Sequence, residues 1–410
     1  MNTQTNKKIL ILGAGFAGLA ASKELEGFGE VTVIDPSPSF EFAPNIHELI
    51  SGFKSPSDVR LDNQKILSGR GQTFIQEAAV GLDIENKTVI TSTGTHHHYD
   101  CLVLAIGGVS NDRGVPGVDE HAFPFKSASE CHAIGQKLEY LENQGLPYSV
   151  TIVGGGVEGV ESLGEILRKY NGSTNLSVNL VEGASQLLQG TSRKVHQEIL
   201  EICKDFSVAF HFEEKVNEVE AHQVTLSSGE SLHSDLTIWT GGVKSHPQFK
   251  AWGLEPEVNR FLQSQKHPEI LIIGDAVDVM GGGEKQAYLA IEMGELAGNN
   301  VRSILRGEQL KPYKPQKYPS IYSFGNLSCF VIYEGFSLSG LPFSGLKEAI
   351  YQLNMASIQG VPMDPEQLTD ILGRGSNGAL GALYSIIKSP IPLFSRFGIG
   401  FSLPTDFLKC

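Results

Sequence analysis

The chain has 410 residues, of which 40% are hydrophobic and 19% are charged, and this length predicts two or three domains. Its 32 Lys and Arg against 46 Asp and Glu give a net charge of −14, which argues against a nucleic-acid partner because phosphate binding needs an excess of basic residues. The 46 glycines follow no three-residue period, which excludes collagen, and no run of 18 apolar residues predicts a membrane-spanning helix.

The first predicted element is a β-strand from Lys7 to Leu12. The start of the chain also imitates a short signal peptide, but the residues that follow favour a strand. A helical segment reaches Leu25, and a second strand, Val31 to Ile34, ends in Asp35. The turn between the first strand and the helix is Gly13-Ala14-Gly15-Phe16-Ala17-Gly18. This combination is the fingerprint of a βαβ dinucleotide-binding unit.

Each part of this motif has a physical role. Gly13 permits the tight turn, Gly15 lets the backbone approach a pyrophosphate, and Gly18 lets the helix pack closely on the strand. The helix N-terminus would face the phosphates with its partial positive charge. Asp35 is placed to accept hydrogen bonds from ribose hydroxyls.

The histidines and cysteines suggest no metal centre. Three consecutive histidines, His96 to His98, lack a partner at ligand spacing, and we expect a solvated turn there. No Cys-x-x-Cys pair occurs among the five cysteines, which are Cys101, Cys131, Cys203, Cys329 and Cys410. We therefore predict no metal site, and we expect reduced thiols in a cytoplasmic protein.

The motif then recurs. A strand from Val150 to Val153 precedes a helical segment, and the next strand, Ser177 to Val181, ends in Glu182. The turn is Gly154-Gly155-Gly156-Val157-Glu158-Gly159. Each motif is also followed by a strand meander and by an apolar strand that ends in Gly-Gly, at Gly107 and at Gly241-Gly242. Such a double match is not expected by chance.

These repeats predict an α/β protein with two Rossmann-like domains, the second inserted into the first. The first domain resumes with a strand, Glu269 to Ile273, that ends in Gly274-Asp275. Asp275 would contact a bound cofactor, or it would cap a helix near Gln286 to Val301. The predicted domains are residues 1–118 with 246–310, the inserted residues 119–245, and a smaller C-terminal region, 311–410.

At this point the sequence resembles the flavoproteins with two dinucleotide-binding domains, over about residues 7–310. The resemblance implies FAD in the first domain and NADH in the second. The implied FAD residues are Gly13, Ala14, Gly15, Phe16, Ala17, Gly18, Asp35, Gly107, Gly274 and Asp275. The implied NADH residues are Gly154, Gly156, Gly159, Glu182 and Gly242, where the Glu182 carboxylate favours NADH because it would repel the 2′-phosphate of NADPH.

Within that family the chain is most similar to type II NADH dehydrogenases and to quinone reductases related to apoptosis-inducing factor. Residues 40–52 and 239–244 carry this similarity, and Lys285 to Ala290 matches the Lys-x-Ala-Tyr-Leu-Ala segment of the second group. The same segment departs from the Ala-Gln-x-Ala-x-Gln quinone motif of the first group. The disulfide-reductase branch is disfavoured because residues 36–60 contain no Cys. The resemblance implies an FAD-dependent enzyme that passes electrons from NADH to a quinone.

Two residues are implied to be catalytic. Glu161 would orient the nicotinamide or relay a proton, or it would only complement the helix dipole. Lys285 would stabilise reduced flavin or donate to a quinone oxygen, or it is a surface lysine. Two other functions stay open: a soluble reductase of a small electron-carrier protein, and a non-catalytic flavin- and NAD-binding sensor.

The charge is unevenly distributed. Residues 311–410 hold eight Lys and Arg against six Asp and Glu, so the acidic excess lies in the preceding residues. The segment 371–410 combines basic residues with Leu, Ile and Phe, a composition typical of segments that lie in a membrane interface. We expect peripheral contact with the cytoplasmic face of a membrane. The alternative is ordinary packing or a homodimer contact, which Pro390 and Pro392 favour because they interrupt a long helix.

Overall fold

The computed structural model describes residues 7–277, 286–334 and 336–360. The chain divides into two compact units, Met1–Gln316 and Lys317–Cys410. The division falls within Lys311 to Pro319, a stretch that is rich in Lys and Pro and that the sequence predicts to be a linker. The units are described separately below.

The first half of unit one alternates short strands and helices. Its strands are β1 (Lys8–Leu12), β2 (Glu30–Ile34), β3 (Ser39–Glu41), β4 (Arg60–Asp62), β5 (Thr73–Ile75), β6 (Ala79–Asp83), β7 (Thr88–Thr91), β8 (His96–His98), β9 (Cys101–Leu104), β10 (Gly108–Ser110) and β11 (Ala122–Pro124). Its helices are α1 (Phe16–Glu24), α2 (Glu48–Ser51), α3 (Asn63–Gly69), α4 (Val118–His121) and α5 (Ala128–Asn143), with a 3₁₀ turn at Ala43–Asn45.

The second half of unit one repeats this alternation. Its strands are β12 (Tyr148–Val153), β13 (Leu176–Glu182), β14 (Val208–Phe212), β15 (Val216–Glu220), β16 (Gln223–Leu226), β17 (Ser231–His233), β18 (Leu236–Trp239), β19 (Val243–Ser245) and β20 (Ile270–Ile272). Its helices are α6 (Val157–Lys169), α7 (Arg193–Cys203), α8 (Gln248–Ala251) and α9 (Ala287–Arg306), with a 3₁₀ turn at Gly274–Ala276.

The first large sheet is parallel, with strand order β20-β9-β1-β2-β5. Its central strand β1 is buried from Ile9 to Leu12, as expected for a parallel strand covered on both faces. Leu12 pairs with Ile34, so β1 and β2 end at the same edge of the sheet. That register brings the residues that follow, Gly13 and Asp35, next to each other.

The second large sheet is also parallel, with strand order β11-β18-β12-β13-β14. Val153 pairs with Val181, so Gly154 and Glu182 meet at the edge of this sheet as Gly13 and Asp35 do in the first. The two parallel sheets confirm the predicted fold class. All strands of the second sheet lie between β9 and β20 in the chain, which is the order expected for an inserted domain, although the individual domain boundaries stay a prediction.

Smaller antiparallel sheets accompany the two parallel sheets. The meanders β6-β7-β8 and β15-β16-β17 each form a three-stranded sheet, and β10 pairs antiparallel with β19. The pair β10–β19 lies where the chain leaves the first large sheet and where it returns from the second. Ser110 is opposite Val243, so the two connections are hydrogen-bonded to each other.

Helices α1 and α9 pack unusually closely. A Cβ at Gly294 would lie 2.3 Å from the carbonyl oxygen of Ala17, and a Cβ at Gly298 would lie 2.7 Å from that of Ala21. Any side chain at these two positions would push the helices apart. This contact holds α9 against the helix of the first glycine-rich motif.

One local prediction is wrong. His96–His98 form strand β8, in which His98 pairs with Thr88 and its Nδ1 lies 2.7 Å from Thr88 Oγ1, instead of a solvated turn. The meander supplies a backbone partner for each of these residues, which overrides the weak local preference of a polar tripeptide.

The described part of unit two contains a small antiparallel sheet and one helix. The strands β21 (Ser320–Phe324), β22 (Ser328–Tyr333) and β23 (Phe336–Ser339) are followed by α10 (Pro342–Gln359). Phe324 and Phe330 are fully buried and form part of its core. The sequence predicts a strand over Leu327 to Tyr333, from its apolar run, and a helix over Lys347 to Ile358. The strand is confirmed, and the helix begins five residues earlier than predicted, at Pro342.

Candidate functional site

The first glycine-rich turn admits no side chain between helix and strand. A Cβ at Gly18 would lie 1.9 Å from the carbonyl oxygen of Gly13, and a Cβ at Gly13 would lie 2.3 Å from that of Ala105. Gly13 has a φ of 103°, in the region that favours glycine. At Gly15, by contrast, no atom lies within 4 Å of an added Cβ. The turn is therefore closed toward the protein and open on its outer side.

Asp35 connects the end of β2 to this turn. The backbone N–H of Ala14 donates to Asp35 Oδ2 at 2.7 Å, and that of Ser37 donates to Oδ1 at 2.7 Å. Burial raises the pKa of Asp35, and the two backbone hydrogen bonds oppose this shift. The carboxylate thus lies against the glycine-rich turn, as the motif predicts.

The N-terminus of α1 has the character of an anion site. Gly15 is its N-cap, makes no side-chain capping bond, and no acidic residue lies in the first turn. The first backbone N–H groups of a helix have no partner within the helix and carry partial positive charge. Here they lie beside the open turn, where a phosphate group would fit.

The second motif repeats this geometry. Gly154 has a φ of 110°, and a Cβ at Gly159 would lie 1.8 Å from the Gly154 carbonyl oxygen. The N–H of Gly155 donates to Glu182 Oε2 at 2.6 Å, and the N–H of Ala184 donates to Oε1 at 2.7 Å. At Gly156 no atom lies within 4 Å of an added Cβ. Two equivalent open turns, each held by a carboxylate, are therefore present in unit one.

Three other predicted glycines have a left-handed backbone. Gly107 has a φ of 67° and open space where a side chain would lie. Gly274 has a φ of 72°, and a Cβ added at this position would lie 3.0 Å from the Cβ of Ala17. Gly242, with a φ of 88°, accepts a hydrogen bond from the Asn111 N–H at 2.9 Å and so belongs to the crossing connections. Of these three, Gly274 is brought directly to the first motif.

Of the two charged candidates Asp275 and Lys285, only Asp275 lies among the described residues. Asp275 is half-buried in the 3₁₀ turn, and it is not the cap of α9, because Gln286 occupies that position. Lys285 lies outside the described residues.

Glu161 is buried in α6, and its partner was not predicted from the sequence. The Nδ1 of His47 lies 3.4 Å from Glu161 Oε2, and the two side chains are 1% and 8% exposed. His47 lies beside α2, which packs against α6. The only signal in the sequence was that His47 falls in the segment 40–52, which carries the resemblance.

Burial raises the pKa of each cysteine thiol in unit one. Cys101, Cys131 and Cys203 are buried, and none of them forms a disulfide. Burial raises the pKa of Cys101 and of Cys203 to about 12, and it raises that of Cys131 well above its usual value. Among the described residues there is also no group of three or more His, Cys, Asp or Glu that could hold a metal ion.

Comparison with known proteins decides the family. The model of the pyridine nucleotide-disulphide oxidoreductase family matches residues 7–294. The chain belongs to this family. The type II NADH:quinone oxidoreductase of Staphylococcus aureus (strain NCTC 8325 / PS 47) is 25% identical over 398 residues, which cover 87% of this chain and 97% of the relative.

Solved structures share the fold. The NDH2 of Plasmodium falciparum in complex with NADH has a TM-score of 0.79 at 17% sequence identity. The match covers 91% of this chain and 99% of the NDH2 chain. The sulfide:quinone oxidoreductase of Aquifex aeolicus has a TM-score of 0.77 at 18% sequence identity. Here the match covers 86% of this chain and 92% of the other.

The predicted enzyme class and cofactors are confirmed: the chain is an FAD-dependent NADH oxidoreductase. The structure fits this cofactor pair, because the two turns are open where Gly15 and Gly156 would approach a dinucleotide and closed where helix and strand meet. The family name includes a disulphide, but the buried thiols of unit one offer no such centre.

Two glycine substitutions separate cofactor binding from folding. G15A places a methyl group in open space, so we expect unchanged stability of the apoprotein but lower FAD content, because the methyl group lies where the pyrophosphate approaches. G18A forces the helix from the strand, so we expect a loss of about 1–3 kcal/mol in unfolding free energy as well as loss of FAD. Thermal unfolding of the apoproteins and the ratio of flavin to protein absorbance measure both effects. A G18A apoprotein that unfolds like the wild type would contradict this reading.

Proposed function

We propose that the chain is an NADH:quinone oxidoreductase. The observation that carries this proposal is the presence in one compact unit of two open dinucleotide turns, each held by a carboxylate. The type II NADH:quinone oxidoreductase matched along 97% of its length supports the choice of reaction. Bound FAD would accept a hydride from NADH and pass the electrons on to a quinone.

The residues of the first motif would hold FAD. The N–H groups of Gly15 to Ala17 would bind its pyrophosphate, and Asp35 would accept from its ribose hydroxyls. Gly107, Gly274 and Asp275 would line the same site. In the second motif Gly154, Gly156 and Gly159 would receive the pyrophosphate of NADH, with Gly242 at the connection between the two regions.

Glu161 and Lys285 would serve the reacting ends of the cofactors. We infer that the buried Glu161 orients the nicotinamide or exchanges a proton beside it. Reduction of a quinone to a quinol takes up two electrons and two protons, so the site must also supply a proton that the hydride does not bring. Lys285 would donate to a quinone oxygen or stabilise negative charge on the reduced cofactor.

Anaerobic reduction followed by a panel of acceptors tests the reaction. We expect NADH to bleach the flavin absorbance of the holoenzyme, and a short-chain quinone to restore it with repeated turnover. A small iron–sulfur protein is the comparison acceptor. Rapid bleaching by NADH without any reoxidation by quinones would refute the proposed acceptor, and efficient transfer only to the iron–sulfur protein would favour a soluble reductase.

Glu182 would select NADH over NADPH. Its carboxylate would accept from the 2′-hydroxyl of the adenosine ribose and repel a 2′-phosphate. For E182S we expect kcat/KM for NADH to fall roughly tenfold to hundredfold, since a hydrogen bond to a charged group is removed, and the preference over NADPH to shrink. Steady-state kinetics with both nucleotides measures the change. E218Q, which removes an exposed carboxylate from β15, is the matched control, and an unchanged preference in E182S would contradict the assignment.

Membrane attachment would come from residues 371–410, which lie outside the described residues. No helix in the described part of the chain is long and apolar enough to cross a membrane. We propose peripheral binding of this basic, apolar segment to the cytoplasmic face of an anionic membrane, or its use as a dimer contact.

Vesicle flotation distinguishes these two uses. We expect the full chain to float with vesicles that contain anionic lipid and much less with neutral vesicles, because the segment is basic. A variant that ends at Asp370 should lose binding while keeping its FAD. A full chain that stays unbound but is a dimer by light scattering, and becomes a monomer on truncation, would favour the dimer contact.

A further inference from the structure

Two buried or partly buried polar contacts, whose residues have the same four-residue spacing on both sides, join the α2 region to α6. His47 and Ser51 are four residues apart, and so are their partners Glu161 and Glu165. The Nδ1 of His47 lies 3.4 Å from Glu161 Oε2, and the hydroxyl of Ser51 donates to Glu165 Oε2. Residues four apart lie on one face of a helix, so the two pairs form successive contacts along one interface.

The two carboxylates of this interface have different surroundings. Glu165 is 1% exposed, and Arg168 Nη1 lies 3.6 Å from its Oε1. Glu161 is also buried, and the buried imidazole of His47 lies against it. A buried carboxylate is costly unless a charge or a donor compensates it. His47 can supply either, because the imidazole changes charge near neutral pH.

The segment that carries His47 reaches from one glycine-rich motif to the other. The Phe16 ring at the start of α1 contacts the rings of Phe40 and Phe42, with centroids 4.9 and 5.4 Å apart. His47, five residues after Phe42, contacts α6 of the second motif. The His47–Glu161 pair is therefore part of a connection between the first turn of α1 and α6.

Other titratable groups surround the pair. From the α2 side, Lys54 Nζ lies 3.5 Å from Glu48 Oε2, and Asn45 also donates to that carboxylate at 2.9 Å. From α6 come Glu158, which pairs with Lys126, and Glu165 with Arg168. From α5 comes the thiol of Cys131, which interacts with Glu158. Glu48, Glu158 and Glu165 each have a cationic partner, which is Lys54, Lys126 and Arg168 respectively, whereas the imidazole of His47 contacts Glu161.

We propose that His47 is a positioning residue for Glu161. His47 holds this carboxylate in place and balances its charge during reduction of the enzyme by NADH. When His47 is protonated, the pair is an ion pair. When His47 is neutral, the attraction between the two opposite charges is lost, and Glu161 is held less firmly. The inference rests on the proposed role of Glu161 beside the nicotinamide, and not on the identity of the acceptor.

Two measurements on the full-length holoenzyme test this proposal, in wild type, H47Q, E161Q, the double variant and S51A. The first is the titration of the His47 ring by NMR of protein labelled at histidine Cε1, with the H47Q spectrum as the assignment. The second is the pH dependence of anaerobic flavin bleaching by NADH in stopped flow. S51A is the matched control, because it breaks the neighbouring contact of the same interface.

We expect His47 to titrate at lower pH in E161Q than in wild type, because the opposite charge is removed, and to titrate unchanged in S51A. H47Q should slow bleaching by roughly tenfold or more and should abolish the pH dependence that follows the titration of His47. The double variant should be no slower than E161Q alone, because both changes remove one coupled function.

Either of two results would overturn the proposal. One is a His47 titration that E161Q leaves unchanged or shifts no more than S51A does. The other is an H47Q enzyme that keeps the wild-type pH profile, with effects that add to those of E161Q. The NMR measurement in E161Q retains His47 and decides the question even if H47Q fails to bind FAD. Quinones enter neither measurement, so failure of quinone turnover would refute only the proposed acceptor.

Discussion

The architecture depends on two places where a helix meets a strand too closely for any side chain. In the first motif a Cβ at Gly18 would lie 1.9 Å from a carbonyl oxygen, and in the second a Cβ at Gly159 would lie 1.8 Å from one. Because of this close contact, the first turn of each helix lies at the carboxyl ends of the strands of its parallel sheet. The open turns at Gly15 and Gly156 exist because the closed sides are fixed by glycine.

The acidic residue at the end of each second strand completes the turn. Asp35 and Glu182 each accept a backbone N–H from the glycine-rich turn and another from the residues that follow their own strand. A carboxylate held by two backbone donors has a defined orientation, so it can present its remaining lone pairs to a ribose. The same side chain thus serves the fold of the turn and the recognition of a dinucleotide.

The contact between the motifs is of a different kind. The aromatic cluster of Phe16, Phe40 and Phe42 is apolar, whereas the adjoining contact of α2 with α6 buries carboxylates against an imidazole and a hydroxyl. Buried ionic contacts contribute little net stability compared with apolar packing, but they tolerate few alternative arrangements. An interface of this composition is suited to fixing the relative position of two cofactor sites.

The sequence by itself determined the elements whose physics is local. The glycine spacing, the apolar strands and the terminal acids Asp35 and Glu182 predicted both parallel sheets and both turns, because a tight turn and a close helix–strand contact require particular residues at fixed separations. The strand at 328–333 followed from its apolar run in the same way. His96–His98 was the local exception, since strand pairing across a meander overrode a polar tripeptide.

Only the tertiary structure decided which distant residues meet. His47 and Ser51 carry no motif, and their contacts with Glu161 and Glu165 join residues that are 114 positions apart. Such a pair depends on how α2 packs on α6, and no spacing along the chain encodes that packing. Burial of the cysteine thiols, which raises their pKa, is likewise a property of the packed core and not of their positions in the sequence.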